Sequence, residues 1–568
     1  MSALSELQSY TFVSRYARWD KDKKRRETWK EANDRVRSMM LDKYPEATEE
    51  ITFAYDMMYQ KKVLGSQRAL QFGGVPAEKI NARIYNCVSS YCDRLRFFQE
   101  CLWLLLCGCG AGFSVQKHHV AKLPKFSPSR KRGGLGRKRF VIPDSIEGWS
   151  DALGVLLSSY FDHPVFNEYY GYNVTFDYSK IRPKGAILSS GAGKAPGPEG
   201  LKNALSKIRA LLDKCIKNNQ EQLRPIDAYD IVMHSADAVL SGGVRRSATI
   251  SIFSADDEEM AKAKTGDWFT ENPQRARSNN SALLVREETS KEDFDNLMEC
   301  VKEFGEPGFI WSDSTEMTVN PCVEIGMYPV DIKTGESGWQ GCNLTTINCA
   351  TIVDEQDFYD RCRAASILGT LQAGFTDFEY LGKTSESIFR RESLLGVSMT
   401  GTMEKFEIVL NPSIQKRGAK IVNKTNEELA QKINIKPAAR TTCLKPEGSS
   451  SCMLGTSSGI HPHHAKRYLR RVQANTDEAP YKYFKSINPE ACEASVWSAN
   501  NTDDVITFPI EVPDGAKTKN QLPALELLKI VKSTQQNWVM AGKNNDRCTK
   551  PWLNHNVSNT INVRPDEW

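Results

Sequence analysis

The sequence predicts a mixed α/β fold. Short β-like runs such as residues 247–253 (SATISIF) alternate with helical stretches such as residues 291–304 (KEDFDNLMECVKEF). This alternation is typical of folds in which helices cover a sheet. The chain has 568 residues, which is long enough to bury a large core around such a sheet.

The N-terminal 60 residues are predicted to be helical. In RRETWKEANDRVRSMML, Trp29, Val36 and Met40 recur at roughly helical spacing among mixed charges. We therefore expect an N-terminal helical region over residues 1–60 and one larger unit over residues 61–568.

An apolar helical run from Phe97 to Cys107 leads into the glycine cluster GCGAGF. The run is too short and too rich in glycine to span a membrane. Glycines 108, 110 and 112 indicate a tight turn at which the backbone closely approaches another part of the molecule.

Residues 118–205 have the texture of an insertion. A basic loop at 125–139 (KFSPSRKRGGLGRKR) precedes Pro- and Gly-rich stretches such as RPKGAILSSGAGKAPGPEG. The basic loop is either a solvated segment or a contact for phosphate or nucleic acid. The net charge of only +5 does not by itself favour a nucleic-acid partner.

The N-terminus lacks the pattern of a signal peptide, so we expect a cytoplasmic protein. In a reducing compartment the fifteen cysteines are expected to be buried or reactive rather than paired in a disulfide framework. Their spacing does not match a zinc ribbon, and no metal site is predicted. His461, His463 and His464 are metal ligands or, alternatively, part of a polar turn around Pro462.

The segment VNPCVEIG (319–326) is the first candidate for chemistry. If it is extended, Asn320, Cys322 and Glu324 point to one face, because side chains alternate along a strand. An amide, a thiol and a carboxylate side by side suit hydrogen-atom or proton chemistry on a polar substrate.

Three other kinds of segment could carry chemistry: two with cysteines, one rich in glycine and serine, and one with paired arginines. Cys342 lies in QGCNLTTIN, twenty residues after Cys322, and Cys87 lies in YNCVSSYC. The run KPEGSSS (445–451) offers backbone N–H groups and hydroxyls that can hold a phosphate. Arg245 and Arg246 in SGGVRRSA either bind an anion or form salt bridges at the start of a strand.

Taken in order, these segments resemble the ribonucleotide reductases. The resemblance rests on YNC, NPCVEI, GCNLTTIN and TTCLKPEGSSS with GIHPHHAKRYLRR, and it covers nearly the whole chain. GGVRRSA and the insertion with DSIEGW and DYSKIRPKGA indicate the monomeric, adenosylcobalamin-dependent class. In that class residues 118–205 carry the allosteric specificity site for a dNTP or ATP effector. The family fold is a ten-stranded α/β barrel with the radical cysteine on a central hairpin loop.

The resemblance implies a role for each candidate. Cys322 matches the thiyl-radical cysteine that abstracts the 3′ hydrogen of a ribonucleotide, Glu324 the base for the 3′-hydroxyl, and Asn320 a substrate-binding amide. Cys87 and Cys342 match the dithiol that ends each turnover as a disulfide. The substrate phosphates are expected at Gly448, Ser449, Ser450 and Ser66. Asp144 in DSIEGW is the effector-binding candidate, with a helix N-cap as its alternative role.

Three departures from the family pattern are visible. The chain ends at NVRPDEW, where relatives continue to a tail whose cysteine pair receives electrons from thioredoxin. We therefore expect a fragment, half of a split enzyme that needs a separate C-terminal fragment, or a shortened enzyme. Gly65-Ser66-Gln67 replaces the usual Pro-Ser-Met, and Glu447 stands where this class often has serine.

Three alternatives remain at this point. The first is the large subunit of a class I enzyme, which takes its radical from a metal-containing subunit and acts on diphosphates. A glycyl-radical class is not among them, because it would need a C-terminal glycine motif and none is present in this sequence. A nucleic-acid-binding protein would use the basic loop and would not depend on Cys322. A catalytically inactive remnant would bind nucleotides only.

Overall fold

The computed structural model describes residues 3–186, 195–240, 248–496, 498 and 502–568. It confirms the predicted α/β class. Arg245, Arg246 and part of the glycine-rich stretch of residues 118–205 lie outside the described residues.

The core of the molecule is one eight-stranded sheet, here called the central sheet. Its seven main strands lie side by side in the order Gly308–Ser312, Ser278–Val285, Thr249–Ser254, Gly110–Ser114, Cys87–Tyr91, Gln340–Asn348 and Leu395–Thr400. A short strand, Val63–Leu64, pairs with Gln340–Asn348.

The central sheet consists of two parallel halves. The first five strands in this order are mutually parallel, and the last two are also parallel to each other. The halves meet in an antiparallel pairing between Cys87–Tyr91 and Gln340–Asn348. Several of these strands are buried along their whole length, as expected when both faces of a parallel sheet are covered.

Helices surround the sheet and supply most of the remaining core. Three form the N-terminal region: Ala3–Arg15, Trp29–Lys43 and Thr48–Tyr59. The others are Gln67–Phe72, Val75–Lys79, Arg96–Cys107, Lys117–Val120, Pro128–Lys131, Ile146–Ser158, Glu199–Lys217, Pro225–Leu240, Glu258–Ala261, Trp268–Glu271, Lys291–Phe304, Glu355–Ala373, Gly382–Glu392, Phe406–Val409, Pro412–Lys432, Gly448–Leu454, Ala479–Ile487 and Ala524–Thr534. None of the helices within the described ranges is both long and apolar enough to cross a membrane.

Local sequence signals account for several helix ends. A capping box of Thr28 and Glu31 begins the helix Trp29–Lys43, and Ser290 with Asp293 begins Lys291–Phe304. The predicted helix over 97–107 is confirmed as Arg96–Cys107, and Gly108 ends it in the left-handed conformation.

Four smaller β units lie outside the central sheet. Trp19–Asp20 pairs with Arg25–Arg26, and within the insertion Arg137–Val141 pairs with Asn173–Asp177. Near the C-terminus Arg467–Asn475, Asp503–Glu511 and Cys492–Ala494 form a three-stranded sheet. The fourth unit is a hairpin of Thr318–Val319 and Gly326–Met327, here called the cysteine hairpin because Cys322 lies at its tip.

The cysteine hairpin is pressed against the central sheet, and the glycine cluster makes this possible. A Cβ atom added to Gly112 would lie 1.8 Å from the carbonyl oxygen of Val319, and one added to Gly110 would lie 3.0 Å from Pro321. The predicted close backbone approach at these glycines is thereby confirmed.

We expect Gly112→Ala to destabilise the protein by about 2–3 kcal/mol or to displace the hairpin, because overpacking a tight contact costs that much. Chemical denaturation measures the change in the free energy of unfolding. Gly448→Ala is the control, because its added methyl would meet no atom within 4 Å. Equal stability of the two variants would contradict the tight approach of the hairpin.

Candidate active site

The tip of the cysteine hairpin is a tight turn rather than the extended strand considered from the sequence. The N–H of Val323 donates to the carbonyl of Asn320 (2.9 Å), and Val323 has a left-handed φ of 69°. A β-branched residue rarely adopts this conformation, and such strain is concentrated at functional sites. The turn places Cys322 at its outermost point.

Cys322 is accessible from outside, yet its thiol is surrounded by protein atoms. Its side chain is exposed, yet burial within the surrounding atoms and the nearby Glu324 carboxylate raise the pKa of the thiol well above its ordinary value. These two facts are compatible if the thiol faces a cavity inside the molecule rather than the outer surface. At neutral pH the sulfur is therefore a neutral thiol, which is the form that donates a hydrogen atom.

Glu324 is completely buried at the base of the turn. Neither of its carboxylate oxygens accepts a well-formed hydrogen bond from the described residues. Its backbone carbonyl accepts from the N–H of Asn556 (2.8 Å), which fixes its position. Burial raises the pKa of Glu324 to about 7, so this carboxyl can both take up and release a proton near neutral pH.

Asn320 supports the turn and faces the site. Its side-chain oxygen accepts from the N–H of Ile325 (3.0 Å), and its side-chain nitrogen has no hydrogen-bond partner among the described residues. That nitrogen lies close enough to Glu324 and Cys87 to lower the pKa of both groups. A buried amide donor without a partner costs free energy, and a polar substrate would remove that cost.

Cys87 and Cys342 are directly opposite each other in the antiparallel junction of the central sheet. Opposed residues in such a pair have Cα atoms about 4.5–5.5 Å apart, which lies within the range that a disulfide requires. Both thiols are reduced and buried, and burial raises the pKa of each. The two cysteines belong to one apolar cluster with Ile325 and Met327 of the cysteine hairpin.

The glycine- and serine-rich run forms the helix Gly448–Leu454, next to the active-site groups. Ser449 accepts a hydrogen bond from Arg15 (3.2 Å) in the first helix of the chain, and Ser450 donates to the buried carboxylate of Glu447. Lys445 forms an ion pair with Glu447 (3.2 Å), and its charge lowers the pKa of Glu324. Gly448 has open space around its Cα atom.

Two other predicted residues have structural partners. Ser66 caps the helix Gln67–Phe72, accepting from the N–H of Arg68 (3.2 Å) and donating to the carbonyl of Ile84 (3.0 Å). The alternative N-cap role of Asp144 is wrong, because Ser145 caps Ile146–Ser158 through the N–H of Gly148. Asp144 instead pairs with Arg182 (2.6 Å) within the insertion.

The histidines after the Gly-Ser helix have partners of their own. His463 contacts Glu404 (2.8 Å), and His461 contacts the carbonyl of Ser458 (2.8 Å) and the N–H of Thr560 (2.9 Å). These contacts favour the polar turn over a metal site at this position.

Sequence reasoning missed the buried ion pair beneath the cysteine hairpin. Arg440 bonds to Glu392 (3.2 Å) and donates to the carbonyl of Gly326 (3.1 Å). Burial alone would raise the pKa of Glu392, but the charges of Arg440 and Arg391 outweigh it and lower the pKa to about 2. No local pattern marks these residues, because the pair joins positions 48 apart in the chain.

Sequence comparison finds relatives among named enzymes. A probable adenosylcobalamin-dependent ribonucleoside-triphosphate reductase from Dictyostelium discoideum is 27% identical, over 70% of this chain and 52% of its own length. The adenosylcobalamin-dependent ribonucleoside-triphosphate reductase of Lactobacillus delbrueckii subsp. bulgaricus is 23% identical, over 88% of this chain and 79% of its own length. The chain therefore spans about half of the first relative and about four-fifths of the second. No protein-family model matches the sequence.

Structure comparison agrees with the sequence relatives. A solved structure described as a B12-dependent (class II) ribonucleotide reductase superposes with a TM-score of 0.76 at 19% identity, covering 94% of this chain and 88% of that one. The chain thus shares that fold, and its sequence relatives carry the same family name. In both comparisons the chain is similar to adenosylcobalamin-dependent ribonucleotide reductases.

Proposed function

We propose that the chain reduces ribonucleoside triphosphates to 2′-deoxyribonucleoside triphosphates by a thiyl-radical mechanism initiated by adenosylcobalamin. The observation that carries this proposal is the grouping of Cys322, Glu324 and Asn320 at the hairpin tip beside the opposed pair Cys87 and Cys342. A nucleic-acid-binding protein or an inactive remnant would not need a dithiol, a third thiol and a buried carboxylate in one site. A class I enzyme would use the same groups and would differ in its radical source and in acting on diphosphates.

In the proposed reaction Cys322, as a thiyl radical, takes the 3′ hydrogen atom of the ribose. Glu324 removes the 3′-hydroxyl proton, and Asn320 donates to the substrate hydroxyls. The 2′-hydroxyl leaves as water after it is protonated by a thiol of the opposed pair. Cys87 and Cys342 become a disulfide and give up two electrons and two protons in total, one proton leaving in the water and the other hydrogen forming the new C2′–H bond. Glu324 returns its proton to the 3′ oxygen, and Cys322 returns its hydrogen atom to C3′.

Cys322 is also the group that a radical-generating cofactor could reach, because it has an open face while Glu324 and Cys342 are fully buried. The accessibility of Cys322 therefore fits a cofactor that must reach its thiol. Adenosylcobalamin, when bound, supplies the one-electron oxidation of the Cys322 thiol. The protein's own contribution is to hold that thiol neutral and to keep water from the buried carboxylate and dithiol.

We also propose that the central sheet is part of the ten-stranded barrel of the family. Two further segments support this extension beyond the eight strands. Thr442 forms a parallel bridge to Val397 of the last strand, and Val557 forms a parallel bridge to Leu444. Segments 440–444 and 556–558 would then be the ninth and tenth strands.

The remaining parts of the proposal concern binding. Substrate phosphates would lie at Gly448, Ser449 and Ser450, with Ser66 nearby, and Arg15 would add a positive charge there. The insertion at 118–205 would bind a dNTP or ATP effector next to Asp144. Thioredoxin or a similar dithiol would reduce the disulfide of a monomeric, cytoplasmic enzyme.

The test is an assay of CTP and CDP reduction by the full chain with adenosylcobalamin and a small dithiol that replaces a protein reductant. We expect cobalamin-dependent formation of deoxycytidine triphosphate. Product from CDP without cobalamin, after addition of a metal-containing radical subunit, would favour the class I alternative. Absence of product even with a fragment that continues the family sequence would overturn the proposal and leave a nucleotide-binding protein.

A further inference from the structure

A second group of ligand-type side chains lies at the foot of the cysteine hairpin. It consists of His118, His119 and Glu316, and the ligand atoms of all three lie within 4.8 Å of one another. The Nε2 atom of His118 is 2.8 Å from one carboxylate oxygen of Glu316, and that of His119 is 3.6 Å from the other. Ligand atoms around a tetrahedral zinc ion are about 3.4 Å apart, which falls between these distances.

His119 has a buried ring nitrogen without a hydrogen-bond partner among the described residues. Its side chain is completely buried, and its Nε2 atom has no hydrogen-bond partner among the described residues. The other ring nitrogen, Nδ1, lies 2.9 Å from the hydroxyl of Ser114. If Nδ1 carries the proton and donates to Ser114, the lone pair of Nε2 points into the group, as in metal sites where a second contact fixes the ring.

The surroundings hold the ring of His119 and the backbone around Glu316 in place. The ring of Tyr91 stacks on that of His119 with centroids 3.9 Å apart, and its hydroxyl donates to the backbone carbonyl of Glu316. The side chain of Gln116 donates to the carbonyl of Thr315 (2.7 Å). The group is therefore preorganised by strands Cys87–Tyr91 and Gly110–Ser114 of the central sheet.

We propose that His118, His119 and Glu316 form a binding site for a divalent transition-metal ion, with zinc as its reference occupant. Two imidazoles and one carboxylate suit zinc and its neighbours in the first transition row, while calcium and magnesium prefer oxygen ligands alone. A fourth position would be filled by water, because His118 and Glu316 are partly exposed.

The site would have a structural consequence for the hairpin. Glu316 lies two residues before the first hairpin strand, and the histidines lie four and five residues after strand Gly110–Ser114, on the short helix Lys117–Val120. A bound ion would thus cross-link the foot of the hairpin to the sheet on which the hairpin packs. The inference does not depend on the proposed reductase activity, because no step of that reaction uses these three residues.

The test is metal titration of the full chain after treatment with a chelator. We expect one equivalent of Zn²⁺ to bind, and Co²⁺ to give visible d–d bands without the near-ultraviolet charge-transfer band that thiolate ligands add. His118→Ala and Glu316→Gln should each weaken binding by at least about tenfold, because loss of an outer-shell partner alone costs about 10–100-fold. Circular dichroism checks that both variants are folded.

His464→Ala is the matched control, since His464 is an exposed histidine outside the group, and it should bind as the parent chain does. No bound equivalent in the parent would overturn the proposal. Binding that survives in both His118→Ala and Glu316→Gln, or that shows thiolate charge transfer, would also overturn it by assigning the ion to another site.

Discussion

The Cys322→Ser variant is expected to lose deoxynucleotide formation entirely. Serine has nearly the same size, but an O–H bond is too strong to be oxidised in place of the S–H bond of Cys322. The loss should be at least about 10⁴-fold, the scale seen when a covalent catalytic residue is removed. Because the side chain lies at the open tip of a turn, the free energy of unfolding should change little.

The measurement is product formation under the conditions of the CTP assay, with nucleotide binding followed separately. Binding should survive in Cys322→Ser, since no phosphate contact is removed. Cys300→Ser is the control, because Cys300 lies on the helix Lys291–Phe304, away from the hairpin. Substantial residual reduction in Cys322→Ser would contradict the assignment of the radical to this residue.

Glu324→Gln is expected to lower activity while raising stability. Loss of a general base costs about 10²–10⁴-fold in rate. In the parent chain activity should rise with pH through about 7, because only the ionised carboxylate accepts the 3′-hydroxyl proton. The variant should lose this dependence.

The stability effect follows from the pKa of Glu324, which burial raises from 4.5 to about 7 in the folded chain. The protonated group stabilises the fold fully below pH 4.5, and this contribution is lost as pH rises through about 7. At pH 8 glutamine avoids the cost of a buried charge, so Glu324→Gln should unfold with a free energy higher by on the order of 2–3 kcal/mol. The difference should shrink at pH 5.

Urea denaturation at pH 8 and pH 5 measures this difference, and Glu287→Gln is an exposed control. A variant that is less stable than the parent at pH 8 would show that Glu324 is neutralised by a partner rather than held in a costly state. A parent activity that is flat across neutral pH would exclude Glu324 as the base.

The fold was predictable where local patterns decide structure. The helices at 97–107 and 291–304 carry clear apolar periodicity and end signals, and the strand near 249 carries β-branched residues. The antiparallel junction between Cys87–Tyr91 and Gln340–Asn348 was not predictable from patterns, because it joins strands about 250 residues apart. The sequence also predicted a close approach at Gly110 and Gly112, but it did not show that the approaching segment contains Val319 and Pro321.

The candidate site was predictable mainly through the resemblance. The same-face argument for Asn320, Cys322 and Glu324 required an extended strand at 319–326. The structure has a turn there instead, with Val323 in a left-handed conformation that β-branched residues rarely adopt. The ion pairs of Lys445, Arg440 and Glu392 were not predicted, because the role of a buried charge depends on its partner in the folded structure and not on a local sequence pattern. The adjacent histidines at 118 and 119 are a visible signal, but their third partner, Glu316, is 198 residues from His118.

The opposed cysteines at the junction have a thermodynamic consequence for the proposed reaction cycle. A bond between Cys87 and Cys342 would close a loop of about 255 residues, and restricting the unfolded chain in this way is worth roughly 5 kcal/mol. By linkage, the folded sheet holds the two thiols at a high effective concentration and favours the oxidised form by the same free energy. Because about 1.4 kcal/mol corresponds to 30 mV for a two-electron couple, folding lowers the reduction potential of the Cys87–Cys342 pair by roughly 100 mV relative to the same pair in the unfolded chain. In the proposed cycle, a reductant of this disulfide would therefore have to overcome the stability that the disulfide adds to the folded sheet.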